Sequence, residues 1–587
     1  MNLTPVRTVR CRYFTLLVVA LLPLFAALPT LAADKKSDKK QARQARRELQ
    51  QKFAALTKQF DEELKGALLD RQKTIEEIAA TRLPEGVRFI VERVFENPKE
   101  TSVFKEICTR ALGKVGTREG VVALLTDGFT HLPESRHEVV GDSLTKILDP
   151  DAIDWIVKKG WRRVSSLGPI AQEQFVRVMA ATEDPRAVKG CEKLLGHPQV
   201  NLDTQARCVD LLRHFKHKRA LSKISKLARV NHIDLNVSVI FAIREMAASE
   251  YSGVILDALE SQHWQVRSVA VDTLRDTKDP ELMPYFVEAM KDKNATVQIS
   301  AIIALREIGG DDVMDPLIAA LETTEGRVRD DVAEALVRLT GEDFGVEPIA
   351  WRSWWTGVRG KVKIAGISRE AYDDIKKKSD EAATGLYYGL RILSKHVAFV
   401  IDASGSMAEK FEFYESEPGS KKRGGRTGVA PDEKKDKRKK IVTTKIAIAR
   451  KELSKVVSGL RNGTRFNIIR FSGVFRPWQP QLVAMADPVR DEALTYVKSL
   501  IPDGETNVYD TLRFALSLED VDTIYFLSDG APTAGQTTNP EEILAKINRE
   551  NEVKKVKIHT IGFHLDPVAE KLMKDLAEQN HGRFVKK

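Results

Sequence analysis

Apolar positions along the 587 residues fall into four successive patterns. Near the start, a long apolar run from Tyr13 to Leu28 follows Arg7, Arg10 and Arg12 and ends at Pro29-Thr-Leu-Ala-Ala33. Next, Phe53, Leu56, Phe60, Leu64, Leu68 and Ile75 recur at helical spacing among Lys, Arg, Glu, Gln and Ala, which predicts a charged helical segment with one packing face. In the middle of the chain, Thr204, Leu235, Val266, Val297 and Val328 recur at a constant step of 31 residues. The period holds inside the unit. Four residues after each start stand Cys208, Val239, Ala270, Ala301 and Val332; five after stand Val209, Ile240, Val271, Ile302 and Ala333; eight after stand Leu212, Ile243, Leu274, Leu305 and Leu336. Together they make one buried helix face per unit. From residue 396 onward, short β-branched runs alternate with amphipathic stretches. Strands are predicted near 396–402, 464–471, 481–485, 521–528, 556–562 and 583–586, and helices near 441–459, 488–500, 508–517, 540–549 and 567–579. That alternation is the mark of a doubly wound α/β domain.

A helix pair that buries its face only against its neighbours stacks into an α-solenoid. The unit resembles HEAT repeats of the short kind, and Ile107, Ala111 and Leu112 carry similar spacing back toward Pro84. The expected organisation is multidomain: a signal peptide or N-terminal anchor at 1–33, a charged helical segment at 34–83, a HEAT-like solenoid at 84–345, a Trp-rich cap and linker at 346–395, and an α/β domain at 396–587. Trp351, Trp354 and Trp355 crowd into five residues, a density that calls for burial and suits a cap on the last repeat. Nine residues into four of the repeats stand Arg213, Arg244, Arg275 and Arg306, with Glu245, Asp276 and Glu307 one position later in three of them. These define either a basic groove for an acidic partner or a ladder of pairs between repeats; the alternation of sign favours pairing.

The stretch with chemistry is His396-Val-Ala-Phe-Val-Ile-Asp402-Ala-Ser404-Gly-Ser406, a buried-strand pattern that stops at an acid and two hydroxyls. Two later segments join it: Gly504-Glu505-Thr506-Asn507, and Thr523-Ile-Tyr-Phe-Leu-Ser-Asp529, a second apolar strand ending at an acid. Ligands of open α/β sheets sit at the carboxyl ends of strands, which is where both carboxylates fall. The set Asp402-x-Ser404-x-Ser406, Thr506 and Asp529 resembles the metal-ion-dependent adhesion site of von Willebrand factor type A domains. The resemblance implies that the two serines and either Thr506 or Asp529 contact a divalent cation, the others acting through water. Mg²⁺ is the ion expected, with Mn²⁺ or Ca²⁺ as alternatives, because hydroxyls, carboxylates and waters suit hard cations. Such a site takes an acidic oxygen from a protein partner. Two departures stand out. Glu505 occupies a position where many members have glycine, and residues 409–440 form an insert with 11 Lys or Arg against 7 Asp or Glu, expected to be flexible. Either Glu505 or Glu409 is placed to fill the metal position from within.

Composition narrows the function. A formal charge of +10 is a modest excess for this length, so nucleic acid is not implied as a partner. Cys108, Cys191 and Cys208 are an odd and sparse set behind the leader, which reads as buried thiols rather than a disulfide scaffold. The leader predicts export to a periplasmic or secreted location, with membrane attachment only if it stays uncleaved. No Gly-x-Ser-x-Gly, Walker loop or His-Glu-x-x-His occurs. The expected function is therefore non-enzymatic binding, with the metal face and the solenoid as two interaction surfaces. A metal-free scaffold and a metal-dependent hydrolase are the alternatives.

Overall fold

The computed structural model describes residues 35–63, 68–144, 147, 149–246, 251–381, 386–415 and 439–587. The predicted leader, residues 1–33, lies outside them. No described helix is long and apolar enough to cross a membrane. The chain forms two compact units, Met1–Gly190 and Cys191–Lys587.

In the first unit the charged segment is helical, Lys35–Glu62 followed by Leu68–Ala80. Its apolar stripe packs: Leu56, Phe60 and Ile75 are buried. Phe60 meets Phe89 edge-on and stacks on Phe104, while the Arg71 guanidinium lies 4.0 Å from the Phe104 ring centre and pairs with Glu100. A cation held over an aromatic face gains from the ring quadrupole as well as from its acid. Further helices follow, among them Ser102–Val115, where Thr101 caps the start and Gly116, at φ +64°, closes the end.

The second unit begins with the repeats. Helices Leu202–His214, Ile233–Glu245, Trp264–Arg275, Ala295–Ile308 and Gly326–Thr340 realise the 31-residue step. Every residue assigned above to the buried face is at most 3 % exposed. Each helix packs on its successor, and the last four also pack on the shorter helix before them, so shortening a side chain such as Leu305 to alanine costs about 2–5 kcal/mol. The arginines pair with the next repeat: Arg213 with Glu245 at 2.8 Å, Arg244 with Asp276 at 2.6 Å, Arg275 with Glu307 at 3.5 Å. They form a ladder of pairs and not a free basic groove. Cys108, Cys191 and Cys208 are buried free thiols. Helix Pro348–Val358 closes the stack, with Trp351 donating to the Gly345 carbonyl at 2.9 Å and Trp355 to Asp315 at 3.1 Å.

The stretch expected to be a linker is packed instead. Helix Arg369–Glu381 buries Tyr372 under the Arg338 guanidinium, and Arg369 donates to the Gly582 carbonyl at 2.6 Å. Tyr387, Tyr388 and Leu390 belong to the α/β core, Tyr387 standing edge-on to Phe399 and Tyr525. The α/β core therefore begins ahead of residue 396, because these aromatics fill one face of the sheet.

The α/β domain is built on strands β1 (His396–Asp402), β2 (Lys410–Glu415), β3 (Lys439–Thr444), β4 (Arg465–Phe471), β5 (Phe475–Pro477), β6 (Val483–Ala484), β7 (Thr523–Ser528), β8 (Lys557–Gly562) and β9 (Phe584–Lys586). Its helices are α1 (Lys445–Gly459), α2 (Asp487–Lys498), α3 (Val508–Ser517), α4 (Pro540–Lys554) and α5 (Pro567–Gln579). The main sheet runs β5-β4-β1-β7-β8-β9, with β6 also on β4; β4, β1, β7, β8 and β9 are parallel. Alternate β1 residues serve opposite faces. Val397, Phe399 and Ile401 pack with Ile446, Leu453 and Val497, whereas Ala398 and Val400 pack with Leu512, Ile547 and Leu576. The insert at 409–440, expected to be flexible, pairs at its ends as the antiparallel ribbon β2–β3. As a result α1 starts at Lys445 and not at 441.

The repeats dock on the amino ends of the strands. Lys557, the first residue of β8, lies 2.5 Å from Asp331, 3.2 Å from Glu334 and 3.4 Å from Asp330. Arg327 donates to the carbonyl of Asp522, just ahead of β7. Beyond the sheet, Lys555 pairs with Asp272 at 2.7 Å and Glu552 with Arg244 at 2.8 Å. Burial alone would pull the Lys557 pKa down, but the three acids hold it well above the usual lysine range. The repeats and the α/β domain thus share one compact unit, and the expected boundary in the linker does not separate them.

Candidate metal centre

β1 lies between β4 and β7, so the strand order reverses beside it, and the carboxyl ends of strands at such a point are where open α/β sheets bind ligands. Asp402 ends β1 beside Phe471 of β4, and Asp529 follows the last residue of β7. The turn after β1 is fixed locally, since Asp402 Oδ1 accepts from the Ser404 amide at 2.8 Å. Two backbone bonds stitch this loop to the one carrying Thr506: Gly405 N to Gly504 O at 2.9 Å and Asp503 N to Ala403 O at 2.8 Å. Gly504 sits at φ +69°, a conformation that favours glycine.

The side chains converge across the strands. Ser404 Oγ and Ser406 Oγ are 3.0 Å apart, and Ser406 Oγ donates to Asp529 Oδ1 at 2.8 Å. Ser528 Oγ donates to Asp402 Oδ2 at 2.6 Å. Thus Asp402, Ser404 and Asp529, all buried, and the half-buried Ser406 lie in one cluster of carboxylates and hydroxyls. Thr506 stands on the adjoining loop, its amide donating to Thr533 Oγ1 at 2.8 Å and its carbonyl accepting from the Thr533 and Ala534 amides. Burial, and then the charge of Asp529, push the Asp402 carboxyl up to about 6 against the hydrogen bonds from Ser404 and Ser528.

Sequence reasoning passed over two members of the cluster. Ser528 is one. The other is Lys445, whose Nζ lies 2.8 Å from Asp529 Oδ2 and 2.8 Å from Glu409 Oε2. Burial pulls the Lys445 pKa down, but Asp529 and Glu409 outweigh it and raise it. A signal was available: Lys445 opens a helix that has no acid in its first turn, where a cation meets the positive end of the dipole. Of the two acids expected to reach inward, Glu409 is engaged with this lysine, and Glu505 is exposed beside Gly473.

The donor set is oxygen only, two carboxylates and three hydroxyls, which fits a hard divalent cation better than zinc or copper. Among the described residues no group of three or more His, Cys, Asp or Glu is arranged to hold a metal, so the hydroxyls define the candidate.

Residues 442–585 match the family model for the von Willebrand factor type A domain, and residues 253–337 that for HEAT repeats. The first match begins just beyond the insert, so the loop with Asp402, Ser404 and Ser406 lies ahead of it. Curated relatives include the human von Willebrand factor A domain-containing protein 3A, 32% identical over 120 residues, 20% of this chain and 10% of that protein. Mouse inter alpha-trypsin inhibitor, heavy chain 4, is 28% identical over 201 residues, 32% of this chain and 18% of that one. The chain thus spans less than a fifth of either relative. Among solved structures, von Willebrand factor type A from Catenulispora acidiphila is similar at 17% identity with a TM-score of 0.24, covering 32% of this chain and 38% of that one. The chain therefore carries HEAT repeats at 253–337 and a von Willebrand factor type A domain at 442–585.

Proposed function

We propose that the protein is an exported, non-enzymatic binding protein whose type A domain engages an acidic group of a protein partner through a divalent cation, Mg²⁺ above all. Asp402, Ser404, Ser406, Thr506 and Asp529 would hold the ion. When bound, such an ion supplies an electrophilic position for a carboxylate oxygen. The observation that carries this reading is the Ser406 to Asp529 hydrogen bond at 2.8 Å, which joins the β1 loop to the end of β7 in a cluster whose candidate ligand atoms are carboxylate and hydroxyl oxygens. The two family matches support a role in protein interaction. Export rests on the leader pattern of residues 1–33. The repeats offer a second surface, reduced by the part docked on the α/β domain.

A specific observation favours a second reading, a metal-free scaffold: Lys445 already neutralises Asp529. Calorimetric titration of the full chain with Mg²⁺ and Mn²⁺ separates the two. Saturable binding that disappears in Asp402→Ala supports the metal reading, and heat absent from both proteins supports the scaffold. Capture of a partner from an envelope fraction, with and without chelator, then tests the acidic contact.

A further inference from the structure

The cluster at the carboxyl ends of β1 and β7 contains a cation of its own. The Lys445 side chain is only 5 % exposed, and its two partners are unlike: the Asp529 side chain is fully buried, and that of Glu409 is 65 % exposed. The ammonium therefore spans from the interior to the surface. Its place at the start of α1 is unfavourable by helix electrostatics, so the buried acid is what holds it there. Asp402, entirely buried in the same cluster, adds a second carboxylate. A divalent ion drawn to these acids would meet a like charge already seated on Asp529.

We propose that Lys445 is a resident counter-cation, competing with a divalent ion for Asp529 and withdrawing onto Glu409 as the ion enters. The inference rests on the metal-binding reading above. Geometry gives the exchange its direction. The ammonium is bonded to both acids at once, so when it leaves Asp529 it still keeps its ion pair with Glu409. The Lys445 amide also donates to the Glu409 carbonyl at 3.1 Å, which pins the outer partner beside the start of the helix. A flexible four-carbon stem lets the charge move while the backbone stays. With ion absent, the lysine spares the cluster an unpaired buried acid. With ion present, its charge weakens binding, so the site fills only where the ion is plentiful.

The test uses the full chain stripped with chelator and titrated with Mn²⁺, free Mn²⁺ being read by electron paramagnetic resonance. Lys445→Met and Lys445→Gln are expected to bind Mn²⁺ at least about tenfold more tightly than wild type, since a repelling unit charge is gone. Asp529→Ala is expected to lose binding. In chelator, Lys445→Met should melt below wild type, and saturating Mn²⁺ should erase that gap because the ion takes over the neutralising role. If Lys445→Met fails to fold, Lys445→Gln, which keeps a donor toward Asp529 without the charge, carries the comparison. Equal or weaker Mn²⁺ binding by the lysine variants, with binding still lost in Asp529→Ala, overturns the competition and leaves the metal reading standing. No binding by any of these proteins overturns both.

Discussion

The two ends of the central sheet bury charge in opposite ways. At the amino end Lys557 meets three acids from the repeats, and Arg327 meets the Asp522 carbonyl. At the carboxyl end two buried acids each accept from a serine hydroxyl, and one of them, Asp529, also holds a lysine that is divided between this buried partner and the exposed Glu409. The first arrangement has cations fixed by several contacts from a neighbouring domain. The second has a cation that can be exchanged. One end joins the two domains, and the other is suited to binding.

The contrast predicts its largest effect at the amino end. Lys557→Met removes one buried cation from the three acids; Arg327 and Arg338 still pair with Asp331 and Glu334, but one buried negative charge is left uncompensated, and the full chain is expected to lose about 3–5 kcal/mol in urea denaturation. Unchanged unfolding would mean that the docked face contributes nothing to stability. At the carboxyl end, Asp402→Ala is expected to weaken Mn²⁺ binding by about a hundredfold or more, with the circular dichroism spectrum unchanged. An accompanying collapse of structure would make the cluster a second structural clamp and erase the contrast.

Acidity sharpens the comparison from within the sheet. His559 of β8 stacks on Tyr525 and its Nδ1 accepts from the Arg583 amide at 3.1 Å. Burial, and then Lys557 and Arg583, push its pKa well below the usual 6.5, so the folded state keeps it neutral. The unfolded chain takes up the proton as pH falls through about 6.5 and the folded chain does not. Stability from this group is therefore fully present above that value and is lost toward lower pH, by about 1.4 kcal/mol per pH unit. His559→Gln should flatten that slope in denaturation midpoints measured between neutral and mildly acidic pH; an unaltered slope would assign it to other groups. The smallest effect belongs to the ladder. Arg213→Ala breaks a pair whose acid is half exposed, and a loss of at most about 1 kcal/mol in thermal melts is expected.

The repeats were legible because a period of 31 residues marks the same buried face five times over, and the strands because β-branched runs stop at turns. The ribbon β2–β3 was not. It is short and its ends are rich in lysine and glutamate, which read as solvated chain, and that hid the start of α1. The candidate site was legible wherever its oxygens follow strand ends. Lys445 was not, because it follows a run of basic residues and only the fold selects it. The docking of the repeats was equally hidden: Lys557, Asp331 and Glu334 look like surface charge until they are brought together.

The parallel strands also have a mechanical consequence. A pull on the loops after β1 and β7, resisted by the repeats at the amino ends, runs along the strands and loads their ladders in shear. Seven aligned residue pairs join β1 to β4, five join it to β7 and six join β7 to β8. Shear must break such a ladder together, whereas a pull across it would open one bond at a time, so the domain is oriented to resist tension between its two ends.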